Sequence, residues 1–275
     1  MNNLELLKVY QYKNKKRYGK KKDGGYVIGL LKNKYDCYIS CGVGTDESFT
    51  RDFLKEHNYL SKNDCYAFDG TINDYPYKYT KNITFIKKNI NNYNNKFNTD
   101  LTEIIKKYKN IFLSIDIEGG EYDWLLSLDN ELLNNISQIV IEFHNICSGF
   151  KSNKDNNIIK TFKKLSNKFT LIHAHGNNFG LILNNIPDII ELTYINKSYI
   201  KTFKLNNEIL PIKDLDFPNS RRYHDINLGF YPFTNNLYIH SPKTMLWYFL
   251  NFRKYIQSFI FISVIIIINY IFKYL

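Results

Sequence analysis

The sequence is poor in residues that build covalent or metal-clasped frameworks. Only four cysteines occur in 275 residues, Cys37, Cys41, Cys65 and Cys147. None forms a C-x-x-C pair, and their spacing sets up neither a disulfide framework nor a zinc finger. Buried free thiols in a reducing compartment are expected. There is also no arginine-rich helix and no RNP-type aromatic pair, so the formal charge of +11 does not by itself select nucleic acid. Much of the lysine is scattered over Lys13 to Lys22, Lys87 and Lys88, and Lys106 to Lys109, and forms no stripe. A surface of that kind attracts anionic lipid or acidic glycans equally well. No nucleic-acid partner is expected. No internal repeat is evident, and the N-terminal MNNLELLKVYQYKNKKRYGKKK lacks the apolar core of a secretory leader.

What the chain does have is core-forming material and one long apolar run. With 23 tyrosines and 20 phenylalanines it can fill one large α/β domain. The run YIQSFIFISVIIIINYIF, Tyr255 to Phe272, is uncharged, with Arg253 and Lys254 before it and Lys273 after. As a helix it would span roughly 27 Å, close to the hydrocarbon thickness of a bilayer. It shows no polar face, so a hydrophobic membrane-anchor segment is expected over 244–275. The upstream basic pair outweighs the downstream lysine, which predicts a tail anchor with the globular part facing the cytoplasm. That part, 1–243, reads as one domain with a motif core over 17–200 and loop-rich cover over 201–243.

Within the core, apolar strand-like runs alternate with amphipathic helical segments. YDCYIS, DCYAFDGT, NITFIKKNI, NIFLSIDIEGG, SQIVIEFH and FTLIHAHG read as strands. Alternation of this kind predicts a mostly parallel sheet with helices on both faces. FGLILNNIPDIIELTYI reads as an antiparallel hairpin at one edge, with Asn184-Asn185 near its turn.

Ligands of open α/β sheets sit beyond the carboxyl ends of the strands, and SCGVGTDES is placed for the first such turn. Gly42 and Gly44 would let backbone approach a ligand closely. The dinucleotide fingerprint needs a third glycine where Glu47 stands, and Asp46 and Glu47 would repel a pyrophosphate. A nucleoside cofactor without phosphates fits better, and S-adenosylmethionine is the common one. Asp69 ends the next strand, where an acceptor for a ribose diol belongs.

The run SIDIEGGEYDW, Ser114 to Trp124, ends an apolar strand in three acids. Buried carboxylates cost several kcal/mol unless something pairs with them. Strand alternation places Ser114, Asp116 and Glu118 on one side, at the carboxyl end, over the cofactor and the incoming acceptor. Glu121 also suits the N-terminus of the following helix.

These motifs resemble the FkbM-like family of S-adenosylmethionine-dependent methyltransferases. Its K-x-D-x-E-G-x-E hallmark is here SIDIEGGE, with Ser114 where the family usually has lysine. The chain is more similar still to a branch found in large DNA viruses and some cellular proteins. The shared motifs are R-x-G-x-x-x-D-G-G-Y (Arg17 to Tyr26), S-x-G-V-G (Ser40 to Gly44), F-D-G-T (Phe68 to Thr71), I-E-F-H (Ile141 to His144), H-x-H-G-N-N (His173 to Asn178) and P-D-x-x-E-L-T-Y (Pro187 to Tyr194). The resemblance implies a Rossmann-like class I methyltransferase fold and O-methylation of a sugar hydroxyl, on a glycan or nucleotide-sugar.

On this reading Ser40, Gly42, Gly44, Thr45, Asp69, Gly70 and Asp116 are the expected cofactor contacts. A base must take the hydroxyl proton. Asp116, Glu118, His144 and His175 are the expected catalytic residues, with Glu142 and His173 as further candidates on the same strand faces. A divalent metal held by these side chains is the secondary expectation, because no tight spacing such as H-x-x-x-H is present. Two rival readings are a membrane-associated methyltransferase of lipid or small molecules, and a non-catalytic binding module on the same fold.

Overall fold

The computed structural model describes residues 3–76, 82–151, 156–183 and 186–235. The chain divides into two compact units, Met1–Leu237 and Tyr238–Leu275, and all described residues belong to the first. The apolar run Tyr255 to Phe272, expected as a C-terminal helix, therefore lies outside them. Among the described residues no helix is long and apolar enough to cross a membrane.

A hairpin of β1 (Lys15–Tyr18) and β2 (Tyr26–Gly29) comes first. Then follow β3 (Cys37–Cys41), α1 (Ser48–Glu56), β4 (Cys65–Phe68) and β5 (Thr84–Ile86). Two short strands, β6 (Asn89–Ile90) and β7 (Asn98–Thr99), pair in parallel. Next come α2 (Thr102–Lys107), β8 (Ile111–Ile115), α3 (Glu121–Ser127) and β9 (Ile136–Phe143). The series continues with α4 (Ile146–Phe150), α5 (Asn157–Lys168) and β10 (Phe169–Gly176). A short hairpin of β11 (Ile182–Leu183) and β12 (Ile186–Pro187) precedes β13 (Ile190–Asn196). The sheet order is β10-β13-β9-β8-β3-β4-β5. Only β13 runs antiparallel to its neighbours, second from the edge, and β8 lies beside β3 as expected.

Strand alternation sorts the core into two layers. On one face Tyr38 of β3 and Phe112 of β8 meet Phe49 and Phe53, which stand i,i+4 on α1. The Tyr38 and Phe53 rings stack at 4.6 Å, and Phe53 and Phe112 lie 4.4 Å apart. On the other face Phe143 of β9 lies between Tyr122 of α3 and Phe162 of α5, at 5.3 and 4.8 Å. Helices thus cover both faces.

Four local expectations change. The polar KKRY segment is a strand, because β1 is held by backbone pairing to β2 and carries no apolar alternation to announce it. NITFIKKNI is broken at Lys87-Lys88 into β5 and β6. β8 stops at Ile115, so Asp116 and Glu118 stand in the following turn, with Glu118 at φ +57°. Asn184 and Asn185 lie outside the described residues; the strands that flank them pair antiparallel in a two-stranded sheet of their own, so the expected edge hairpin is not part of the main sheet, where β13 pairs with β10 instead.

Just past the ends of β3 and β8 two loops cross closely. Asp116 N donates to Cys41 O at 2.9 Å, and Gly42 N donates to Phe68 O at 2.9 Å. A Cβ on Gly42 (φ +77°) would fall on the carbonyl oxygen of Asp116, whereas one on Gly44 (φ +53°) would meet open space. Gly42→Ala is therefore expected to destabilise the fold by roughly 2–4 kcal/mol, through clash and backbone strain together. Gly44→Ala should cost only about 1–2 kcal/mol, the left-handed backbone penalty alone. Denaturant melts of the two variants check the contrast, and equal losses would refute it.

Candidate functional site

A cleft of about 500 Å³ opens at the carboxyl ends of β3, β4 and β8. Its walls include Ser40, Gly42, Gly44, Thr45, Asp69, Gly70, Asp116 and Glu118. Its size suits a nucleoside-sized ligand. His144 and His175 do not line it.

Asp69 organises the glycine turn. Its Oδ2 accepts from Val43 N at 2.9 Å and Gly44 N at 2.8 Å. Its Oδ1 accepts from Thr71 N at 2.7 Å and Thr71 Oγ1 at 2.6 Å. Burial favours the neutral acid, but these four donors outweigh it and hold the carboxyl below its usual range. The N-terminus of α1, where a phosphate would bind, is already taken: Asp46 Oδ1 accepts from Ser48 N at 2.8 Å. Lys20 Nζ reaches the other oxygen of Asp46 at 2.7 Å, tying the β1–β2 connection over this end of the cleft. A ligand bearing phosphate is disfavoured on this wall, and an uncharged nucleoside fits.

Asp116 and Glu118, on the opposite wall, belong to a carboxylate cluster around one imidazole that does not itself line the cleft. His144 Nε2 lies 3.2 Å from Glu118 Oε2 and 3.5 Å from Glu142 Oε1, and Nδ1 lies 3.5 Å from Glu121 Oε1. Glu121, fully buried at the start of α3, accepts from Ile117 N at 3.1 Å and Gly119 N at 3.2 Å and so fixes the Glu118–Gly119 turn. The side chain of Glu118 is 82% exposed. Burial pushes the Asp116 carboxyl up to about 7; His144 opposes the shift, and Glu118 and Glu121 add to it. Burial, with Glu191 and Asp116 facing it, holds Glu142 well above the carboxylate range. Burial works against charge on His144, but Glu121, Asp116 and Glu118 prevail and raise its basicity.

His173 and His175 occupy a different environment. His175 Nδ1 pairs with Glu191 Oε2 and Nε2 with Asp225 Oδ1, both at 2.9 Å. With both ring nitrogens engaged and the side chain buried, His175 has no lone pair to offer a substrate, contrary to its expected place among the bases. His173 Nε2 meets Asp216 Oδ1 at 2.8 Å. Burial favours neutral Asp216, but His173 and the Ile212 N–H reverse this and bring it down to about 2. Asp216 and Asp225 come from the loop-rich cover, which thereby neutralises the strand histidines. Burial opposes the charged form of His175, yet Glu191 and Asp225 raise it well above the ordinary value. Stability from that charge is fully present below pH ~6.5 and is lost as pH rises through the raised folded value. His175→Gln should cost about 3–5 kcal/mol at pH 6, with a smaller loss at alkaline pH. Melts across pH test this, and a loss independent of pH would contradict it.

Several cleft residues carry no signal in a motif of reactive types. Asp23, Gly24 and Tyr26 bring the end of the DGGY turn to the rim, and Lys88, Asn89 and Ile90 form a further wall. Arg17 explains the rest of that first motif. Its guanidinium donates to Lys20 O at 3.0 Å and Lys22 O at 2.9 Å, bracing the rim from behind. The buried role of Glu121 could have been anticipated from its place after Gly119-Gly120.

The family model described as the methyltransferase FkbM domain matches residues 12–169, more than half of the chain. No curated protein matches. Among solved structures, the crystal structure of a fibrillarin/Nop5p complex is similar at 14% identity, covering 61% of this chain and 76% of that one, with a TM-score of 0.37. The Methanococcus jannaschii fibrillarin pre-rRNA processing protein is similar at 11% identity, covering 61% and 69%, with a TM-score of 0.34. The family match spans the glycine turn, Asp69 and the SIDIEGGE turn, and the chain belongs to the FkbM methyltransferase family.

Proposed function

We propose that this protein is an S-adenosylmethionine-dependent O-methyltransferase acting on a sugar hydroxyl. The observation that carries the reading is the pairing of two walls in one cleft. One is a glycine turn clamped by Asp69, with its helix N-terminus closed to phosphate. The other is formed by Asp116 and Glu118, with His144 against Glu118 outside the lining. S-adenosylmethionine, when bound, supplies an electrophilic methyl group on a sulfonium centre. Gly42, Gly44, Thr45 and Ser40 would cradle it, with Asp69 and Gly70 at the ribose end.

The chain's own part is to hold the acceptor and take its proton. Carboxylates accept hydrogen bonds from a polyol readily, and Glu118 is the exposed one. A hydroxyl docked against Asp116 and Glu118 would pass its proton into the cluster as the new C–O bond forms. His175 stays outside this step. We further place the enzyme on a membrane through the 244–275 segment, facing the cytoplasm. The basic pair Arg253-Lys254 supports that side, and the acceptor would then be a nucleotide-sugar or glycan exposed there.

Calorimetry with S-adenosylmethionine tests the first wall. Asp69→Asn should weaken binding by roughly ten- to a hundredfold, since it breaks the clamp on the glycine turn; with four donors already on it, Asp69 shapes that turn and is not the diol acceptor expected of it. Unchanged affinity in a folded variant would sink the cofactor assignment. His144→Ala should lower turnover on a sugar acceptor by about 10²–10⁴ with cofactor affinity nearly intact. Turnover equal to wild type would remove the second wall from the chemistry.

A further inference from the structure

We infer that Asp116, Glu142 and His144 form a binding site for a divalent cation, Mg²⁺ or Mn²⁺, at the carboxyl ends of β8 and β9. Each offers one ligand atom, and these atoms all lie within 4.8 Å of one another. Neighbouring ligands on a sphere of radius ~2.1 Å stand about 3 Å apart, so only a small inward movement closes the set.

The carboxylates themselves point to an occupant. Glu142 is 5% exposed; its Oε1 accepts from Asn177 Nδ2 at 3.0 Å, and its Oε2 is buried without a hydrogen-bond partner. Asp116 Oδ1 is buried in the same condition. Four carboxylates, Asp116, Glu118, Glu121 and Glu142, surround a single imidazole, and among the described residues no lysine or arginine pairs with any of them. A proton on Glu142 Oε2 would leave that hydroxyl without an acceptor. A cation satisfies both orphaned oxygens at once.

The surroundings also suit a metal. With Nε2 turned toward Glu142, His144 presents Nδ1 to Glu121 at 3.5 Å, and Glu121 is fixed by two backbone N–H groups. A ligating histidine is ordinarily oriented by a carboxylate; here the two atoms stand slightly beyond hydrogen-bond geometry, and a small turn of the ring would close the contact. Two carboxylates and one imidazole fit Mg²⁺ or Mn²⁺; they supply too few oxygens for Ca²⁺, and catalytic Zn²⁺ sites are richer in imidazole or thiolate than this one. Asp116 lies on the cleft wall, so the remaining coordination positions face the bound acceptor. In that arrangement His144 holds the ion, and the exposed Glu118 is left to receive the proton.

A titration of Mn²⁺ into the full chain, freed of metal with EDTA and followed by the electron paramagnetic resonance of free Mn²⁺, tests the site without cofactor or acceptor. One ion should bind more tightly than about 1 mM. Glu142→Gln and Asp116→Asn, which keep shape and remove charge, should each weaken binding at least about tenfold. Asp23 belongs to an adjoining triplet with Glu142 and Glu191, and Asp23→Asn should bind as wild type. Absence of binding at that concentration, wild-type binding in both folded variants, or loss in Asp23→Asn overturns the assignment. Calorimetry with S-adenosylmethionine on the same preparation reports the methyltransferase reading separately, so either can fail alone.

Discussion

The hydrogen bond from Asp116 N to Cys41 O fixes the spacing on which the whole cleft depends. It extends the β3–β8 pairing one step past the regular ladder, which ends at Cys41 and Ile115. The next residue of the first strand is Gly42, packed so closely on the Asp116 carbonyl that no side chain fits. The turn proposed to hold the methyl donor and the turn proposed to hold the acceptor are thus locked together by backbone. Backbone contacts of this kind hold distances more tightly than long side chains do, which an in-line displacement requires.

Behind that lock the sheet carries an unusual amount of buried charge. Glu142 of β9 faces Glu191 of β13, which faces His175 of β10, a polar row across three adjacent strands. Like charges placed directly opposite are unfavourable. Asn177 and Asn219 relieve the two glutamates, the latter through Asn219 Nδ2 to Glu191 Oε1 at 2.6 Å, while Asp225 balances the histidine. Antiparallel insertion of β13 is what puts Glu191 between them.

The layout of strands and helices was legible in the sequence wherever period and burial agreed, as in β3, β8, β9 and α5. It was illegible in β1, whose Lys15 and Lys16 give no apolar alternation and whose one buried apolar side chain is Tyr18 at its end. Site legibility followed the same division. Gly42, Asp69 and Asp116 stand in motifs whose spacing reflects backbone geometry, and the structure places all three on the cleft. His175 is of a reactive type at a strand end, and only its partners, 16 and 50 residues away, show that it is neutralised. Long-range partners of that sort leave no local pattern. The wall formed by Lys88, Asn89 and Ile90 went unread because those residue types are ordinary, and only the break between β5 and β6 brings them to the cleft.

The loop-rich cover has a consequence for how the chain acquires its shape. Strands β9, β10 and β13 are synthesised before Asp216, Asn219 and Asp225, so His173 lacks its carboxylate and His175 has only Glu191 when they first meet. A nascent chain holding only the strands would either keep this end of the sheet wet and open or change its protonation. The sheet can dry fully only with Asp216, Asn219 and Asp225 in place, so an apparently irregular surface segment completes the charge balance of the strands it covers.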